Sequence, residues 1–218
     1  MGFSDELWTA GAGVYDRVRA HPFLTGLSDG TLPHAAFRHF VVQDAHYLRG
    51  YARALAVLAA RAPTEADTVM FSQHAAGAIA AEQDMHAELA DALGTASDAD
   101  VPVAPTTTAY TSYLLATCHG GSFAEGLGAV LPCYWIYARV GEALLEGSSP
   151  DPLYARWIAM YGGEEFQAVV DAVLALTDRV GPTLGELERR RVTEHYVTTC
   201  RYEWMFWDAA WRQEAWPV

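Results

Sequence analysis

Residues 33–61 read PHAAFRHFVVQDAHYLRGYARALAVLAAR. Phe37, Val41, Leu48, Tyr51, Leu55 and Leu58 recur there in steps that keep them on one face of an α-helix, with Asp44 in the middle of the stripe. A helix with such a stripe along its length has to lay it against other helices, so this segment points to an all-α bundle. The acid is the anomaly. An ionised carboxylate at a core position costs several kcal/mol unless it is neutralised, paired or used in chemistry.

The pattern extends through the chain. Periodicity predicts helices over 4–20, 33–61, 64–93, 106–119, 122–147, 151–160, 163–180 and 183–213, with no strand pattern. Ser122-x-x-Glu125 and Thr183-x-x-Glu186 read as capping boxes, Pro33 suits a first turn, and Gly94 is placed to end the third helix. At about 1.5 Å per residue the longest of these span about 40 Å, room for a central pocket far from both ends. The polar stretch 94–105 reads as a connector and no internal repeat is present, so residues 1–218 are expected to form one domain.

Two further stripes carry acids. Ile79, Glu82, His86, Leu89 and Leu93 share a face of the third helix; Val192, Tyr196, Cys200, Glu203, Trp207 and Trp211 share one of the last. An arginine or tyrosine at a pocket rim could satisfy any one of these carboxylates, but three interruptions point to a shared polar cavity. His86, one turn after Glu82, reads as its hydrogen-bond partner, and Glu82 as a support for Asp44.

Composition narrows the function. With 51% hydrophobic residues, no apolar run of membrane-spanning length and no signal-type N-terminus, the chain is expected to be soluble and cytoplasmic. A net charge of -13 would repel a phosphate backbone, which argues against nucleic acid as a partner. All 14 basic residues are arginine, so no lysine is available for a Schiff base or a phosphate loop; a compositional bias toward Ala and Arg accounts for this. Cys118, Cys133 and Cys200 are an odd set without Cys-x-x-Cys spacing, so neither a disulfide scaffold nor a structural zinc site is indicated and free thiols are expected.

A nucleophile candidate lies in Leu131-Pro132-Cys133-Tyr134-Trp135-Ile136-Tyr137. Pro132 removes a backbone hydrogen bond inside a helix, so that Cys133 can project at a bend with Tyr137 one turn later. A buried cysteine beside a proline is by itself ordinary packing. Glu203 at an apolar position, with a raised pKa, supplies the proton exchange a thiol needs. Tyr47, Tyr110, Tyr137, Tyr161 and Phe206 stand at spacings suited to a cavity wall around these groups. A tyrosine-rich cavity with one buried acid suits a flat nitrogen heterocycle, stacked on the rings while Asp44 accepts from an amino group.

These motifs, Gln43-Asp44-Ala45-His46-Tyr47, Tyr110-Thr111-Ser112, Leu131-Pro132-Cys133-Tyr134-Trp135-x-Tyr137, Tyr161-Gly162-Gly163 and Tyr202-Glu203-x-x-Phe206-Trp207, resemble those of thiaminase II, the TenA-type aminopyrimidine aminohydrolases. The resemblance covers nearly the whole chain and places it with the class that carries a cysteine at position 133. It implies a haem-oxygenase-like helical fold without haem, a homotetramer, and work in thiamine salvage without metal or other cofactor. By the same resemblance Cys133 is the nucleophile and Glu203 the acid/base. Asp44 binds the amino edge of the pyrimidine, Tyr47 and Tyr137 shape the pocket, and Tyr110, Tyr161 and Phe206 line or support it. The implied reaction replaces the amine of 4-amino-5-aminomethyl-2-methylpyrimidine, or the thiazolium of thiamine, by water.

Two other classes stay open on the residues. Asp44, Glu82, His86 and Glu203 are a carboxylate-rich set of the kind that binds di-iron in helical oxygenases, short of histidines. A non-catalytic module binding a pyrimidine or a protein would share the pocket but would need neither Cys133 nor Glu203.

Overall fold

The computed structural model describes residues 2–93 and 101–218, and the side chains of these apart from 81–93. Among the described residues there is no strand. In these residues nine α-helices follow one another: α1 Phe3–Arg19, α2 Pro22–Asp29, α3 His34–Arg61, α4 Glu65–Leu93, α5 Pro105–Gly120, α6 Phe123–Leu145, α7 Pro152–Gly162, α8 Glu164–Val180 and α9 Glu186–Arg212, with a 3-10 turn Gly181–Thr183 before the last. The long helices α3, α6 and α9 pack on one another; α4 and α5 lie against α3, α7 and α8 against α6, and α1 against α9.

Helix α6 is the innermost. From Ala124 to Gly141 every residue is buried except Cys133 and Arg139, the signature of a helix surrounded by others rather than laid on a surface. Its start is the expected capping box: the Ser122 N–H donates to Glu125 Oε2 at 2.7 Å and the Glu125 N–H donates to Ser122 Oγ at 3.2 Å. The helix runs unbroken through Pro132. The missing N–H there leaves the Gly128 carbonyl without its axial donor, because each helical N–H normally serves the carbonyl four residues back.

Two local expectations need correction. Helix α2 was not foreseen, although its ends carry the usual punctuation: His21 Nδ1 accepts from the Phe23 N–H at 3.1 Å, Pro22 occupies the first turn, and Gly30 closes it at φ +77°. Eight residues are too few for a periodic stripe to show. The box at Thr183 and Glu186 does not form. Thr183 Oγ1 donates instead to the Val180 carbonyl at 2.7 Å within the 3-10 turn, and Gly185 precedes the first turn of α9. Gly94 lies outside the described residues.

The stripes of α3 and α9 hold with two adjustments, since Leu48 is only half-buried and Trp211 is 38% exposed; of the stripe through Glu82 and His86 only Ile79, half-buried, has a described side chain. Past Arg212 the chain folds back on the start of α5, where Ala104 offers no side-chain cap. Glu214 Oε2 accepts from the Thr106 N–H at 2.8 Å and Trp216 Nε1 donates to the Val103 carbonyl at 2.9 Å.

One close approach places a wall of the centre. A Cβ on Gly141 would overlap the backbone of Tyr161 and Gly162, and a Cβ on Gly162 would come within 2.9 Å of the Gly141 carbonyl oxygen. α6 and the end of α7 thus meet backbone to backbone, and this contact brings the Tyr161 ring within 4.8 Å of Tyr137. Gly141→Ala is expected to cost about 1–3 kcal/mol through this overlap. It should lower the thermal midpoint by roughly 3–10 °C in circular-dichroism melts; an unchanged midpoint would show that the helices can part without penalty.

Candidate active site

Five helices deliver side chains to one place. α3 brings Asp44, Tyr47 and Tyr51; α5 brings Tyr110; α6 brings Cys133 and Tyr137; α7 brings Tyr161; and α9 brings Glu203, Phe206 and Trp207. Asp44 and Glu203 are 2% and 1% exposed, and Tyr47, Tyr110, Tyr137 and Phe206 are likewise buried. Tyr161 is half-buried.

The ring contacts outline the walls. Tyr47 lies 4.9 Å from Tyr110 and 5.6 Å from Phe206 by ring centroids, and Tyr137 lies 4.8 Å from Tyr161 and 5.1 Å from Trp207. Phe40, one turn before Asp44, stacks on Trp207 at 4.9 Å and joins the two groups. Every other residue of α6 near Cys133 is packed away, yet Cys133 keeps accessible surface. That remaining surface sits on the residue whose neighbours include both acids, through their charges, and the Tyr47 and Tyr51 hydroxyls.

The polar groups in the shell are short of partners. Tyr110 Oη donates to Glu203 Oε1 at 2.6 Å. Asp44 Oδ2 and the Tyr47 hydroxyl are buried with no hydrogen-bond partner, as are Trp207 Nε1 and Trp157 Nε1, whose rings adjoin Tyr137 and Tyr161. Buried polar atoms are nearly always satisfied, so an acceptor, a hydroxyl and two N–H donors left open among neighbouring rings suit a polar, flat ligand.

Electrostatics tie the acids to the thiol. Burial raises the Glu203 carboxyl to about 8, against the Tyr110 hydrogen bond that favours the charged form, and the Asp44 charge adds to the rise. Burial alone raises Asp44 to about 7. The Cys133 thiol is pushed well above its ordinary range, by burial first and then by the Glu203 and Asp44 charges, while the nearby Tyr47 and Tyr51 hydroxyls pull the other way. Cys133 is thus a neutral thiol at rest, within the field of two carboxyl groups able to exchange protons near neutrality. All the residues expected at the site from sequence meet here: Cys133, Glu203, Asp44, Tyr47, Tyr110, Tyr137, Tyr161 and Phe206. The side chains of Glu82 and His86 lie outside the described residues. Among the described residues no group of three or more His, Cys, Asp or Glu side chains converges as metal ligands, so Asp44 and Glu203 do not extend into such a set there.

A profile of the TENA/THI-4/PQQC family matches residues 9–213. The chain belongs to this family. Among its relatives is an aminopyrimidine aminohydrolase of Bacillus subtilis (strain 168), 37% identical over 218 residues, covering 99% of this chain and 92% of that protein. Of solved structures, a TenA homologue from P. horikoshii OT3 superposes with a TM-score of 0.89 at 28% identity, over 97% of this chain and 99% of that one. A Shewanella denitrificans OS217 domain with a haem-oxygenase-like fold superposes at a TM-score of 0.75 and 14% identity, over 96% of this chain and 92% of that one, which shows the fold alone. The fold of this TENA/THI-4/PQQC member is accordingly haem-oxygenase-like and all-helical. Among the described residues no helix is long and apolar enough to cross a membrane.

Tyr51 and Trp207 adjoin the candidate site of this family member, against Tyr47 and Tyr137, but were not singled out for it from sequence. Tyr51 sits on the same stripe as Asp44, one turn past Tyr47, so the spacing held the signal. Trp207 looked like core because a tryptophan's open N–H cannot be read from its position.

Glu203 makes stability depend on pH. Folded, it keeps its proton up to about 8; unfolded, it releases it near 4.5. The folded state binds the extra proton between those values, so Glu203 takes stability away as pH rises through that window. Glu203→Gln should therefore melt above wild type by roughly 5 °C at pH 8.5, with the gap closing toward pH 4.5. A pH-independent gap in differential scanning fluorimetry would contradict the raised carboxyl.

Proposed function

We propose that this chain hydrolyses the C–N bond of 4-amino-5-aminomethyl-2-methylpyrimidine, thiamine, or both, giving 4-amino-5-hydroxymethyl-2-methylpyrimidine for thiamine salvage. The observation that carries the reading is the convergence of the unpartnered Asp44 Oδ2 and the Tyr110–Glu203 pair on Cys133, whose thiol feels both carboxyl charges. The near full-length likeness to an aminopyrimidine aminohydrolase supports it.

The chemistry follows from what each group can do. An aminopyrimidine presents an amino N–H beside a ring nitrogen. Asp44, carrying a proton near neutral pH, accepts from the amino group through one oxygen and gives its proton to the ring nitrogen through the other, which makes the ring a better electrophile. Glu203 in its carboxylate form, the minor one at neutral pH and the major one above about 8, takes the Cys133 proton while the sulfur bonds to an electron-poor ring carbon. The electrons displaced into the ring expel the amine from the methylene carbon, and Glu203 returns its proton to the departing nitrogen, releasing ammonia. Water then bonds to the methylene carbon through oxygen and leaves a proton on Glu203. When the C–S bond breaks, the thiolate recovers that proton and the ring nitrogen returns its own to Asp44. One water enters and one ammonia leaves. The barrier is divided into two displacements that each use the same carboxyl.

Tyr47 and Tyr137 shape the cavity, while Tyr110 orients the Glu203 carboxyl and Tyr161 and Phe206 complete the walls around the ring. The whole chain acts in this reading as one domain of a cytoplasmic homotetramer, an assignment that rests on the family resemblance. The test is incubation of the purified protein with the aminomethylpyrimidine and with thiamine, following release of hydroxymethylpyrimidine. Cys133→Ser should lose at least about 100-fold in kcat while still binding the product, and Glu203→Gln should lose a comparable factor. Wild-type inactivity on both compounds, or full activity of Cys133→Ser, would overturn the reading.

A further inference from the structure

The turn of α6 that presents Cys133 is the one that Pro132 deprives of a backbone hydrogen bond, and two lateral hydrogen bonds reach it from other helices. Tyr51 Oη, on α3, donates to the Val130 carbonyl at 3.0 Å. One turn further along the same face, His74, half-buried on α4, has its Nδ1 3.0 Å from Tyr134 Oη. Val130 lies three residues before Cys133 and Tyr134 one after it, so the two anchors bracket the sulfur. The rings of Tyr51 and Tyr134 meet edge to face at 5.7 Å, and those of His74 and Tyr134 lie 5.6 Å apart. Phenylalanine would fill the same space at both tyrosines; it is the hydroxyls that tie α6 to its neighbours.

We propose that His74 is a positioning residue for Cys133: acting through the Tyr134 hydroxyl, together with the Tyr51–Val130 bond, it fixes the proline-interrupted turn of α6 and so the direction of the sulfur. His74 takes no part in the chemistry. Burial holds its imidazole toward the neutral form, and in the tautomer protonated on Nε2 the Nδ1 lone pair accepts from the Tyr134 hydroxyl. A helix lacking an axial hydrogen bond at the reactive residue gains from lateral ones, because a misplacement of about 1 Å in a reacting group can cost about 100-fold in rate.

This inference rests on Cys133 being the nucleophile, and it is tested by three variants: His74→Leu, which removes the acceptor; His74→Gln, whose amide oxygen can replace it; and Tyr134→Phe. In the hydrolysis assay His74→Leu and Tyr134→Phe should each lower kcat by about 10-fold with KM within about twofold of wild type. His74→Gln should recover most of the loss. The double variant His74→Leu with Tyr134→Phe should be no slower than either single one, since both remove one interaction. Losses that multiply, no rescue by glutamine, or a full-rate His74→Leu would overturn the role.

Iodoacetamide alkylation, read by peptide mass at each cysteine, separates this outcome from the hydrolase reading because it needs no turnover. His74→Leu should change the Cys133 alkylation rate by about threefold or more, His74→Gln should match wild type, and the buried Cys118 and Cys200 should be unaffected. Equal Cys133 rates in all variants would overturn the role of His74 even in a chain that hydrolyses neither compound.

Discussion

The structure turns on how a carboxyl group survives in the middle of a helical bundle. Glu203 has almost no exposed surface, and its described hydrogen bond comes from a tyrosine 93 residues away in sequence. One charge-assisted hydrogen bond offsets only part of the desolvation of a carboxylate, so the group holds its proton to higher pH than it would in water. Asp44 is held the same way without even that bond. Folding has thus placed two proton reservoirs in a dry site at a standing cost. The packing of α3, α6 and α9 around apolar rings has to cover that cost, which is why both acids sit against one continuous cluster of buried apolar side chains.

The division of labour among helices follows from the same constraint. The acids ride on α3 and α9, whose outer faces reach solvent and whose ends are therefore free to be polar. The sulfur rides on α6, which is buried nearly all round. A thiol costs little to bury uncharged, so the innermost helix can carry the cysteine proposed as nucleophile while its neighbours carry the carboxyl groups proposed to activate it.

Much of this was legible in the chain because it is local. The stripe through residues 37–58 and the Ser122–Glu125 box are readable from spacing alone, and Asp44 stood out by breaking the stripe it sits in. Cys133 was visible through Pro132 beside it. What escaped reading depends on partners far apart in sequence. The Tyr51 hydroxyl has its meaning from a carbonyl 79 residues on, and the meeting of Gly141 with Gly162 leaves no mark in either segment's periodicity. Helix α2 was lost for a different reason: two turns are too few for a stripe, and only its caps announce it.

The glycine contact between α6 and α7 also bears on traffic. Two backbones in van der Waals contact behind Tyr161 leave no seam there that could gape without tearing the core, so that side of the chamber acts as a fixed back wall. Molecules entering or leaving have to pass by another side, and whatever breathing admits them is confined to helices that meet through pliable side chains.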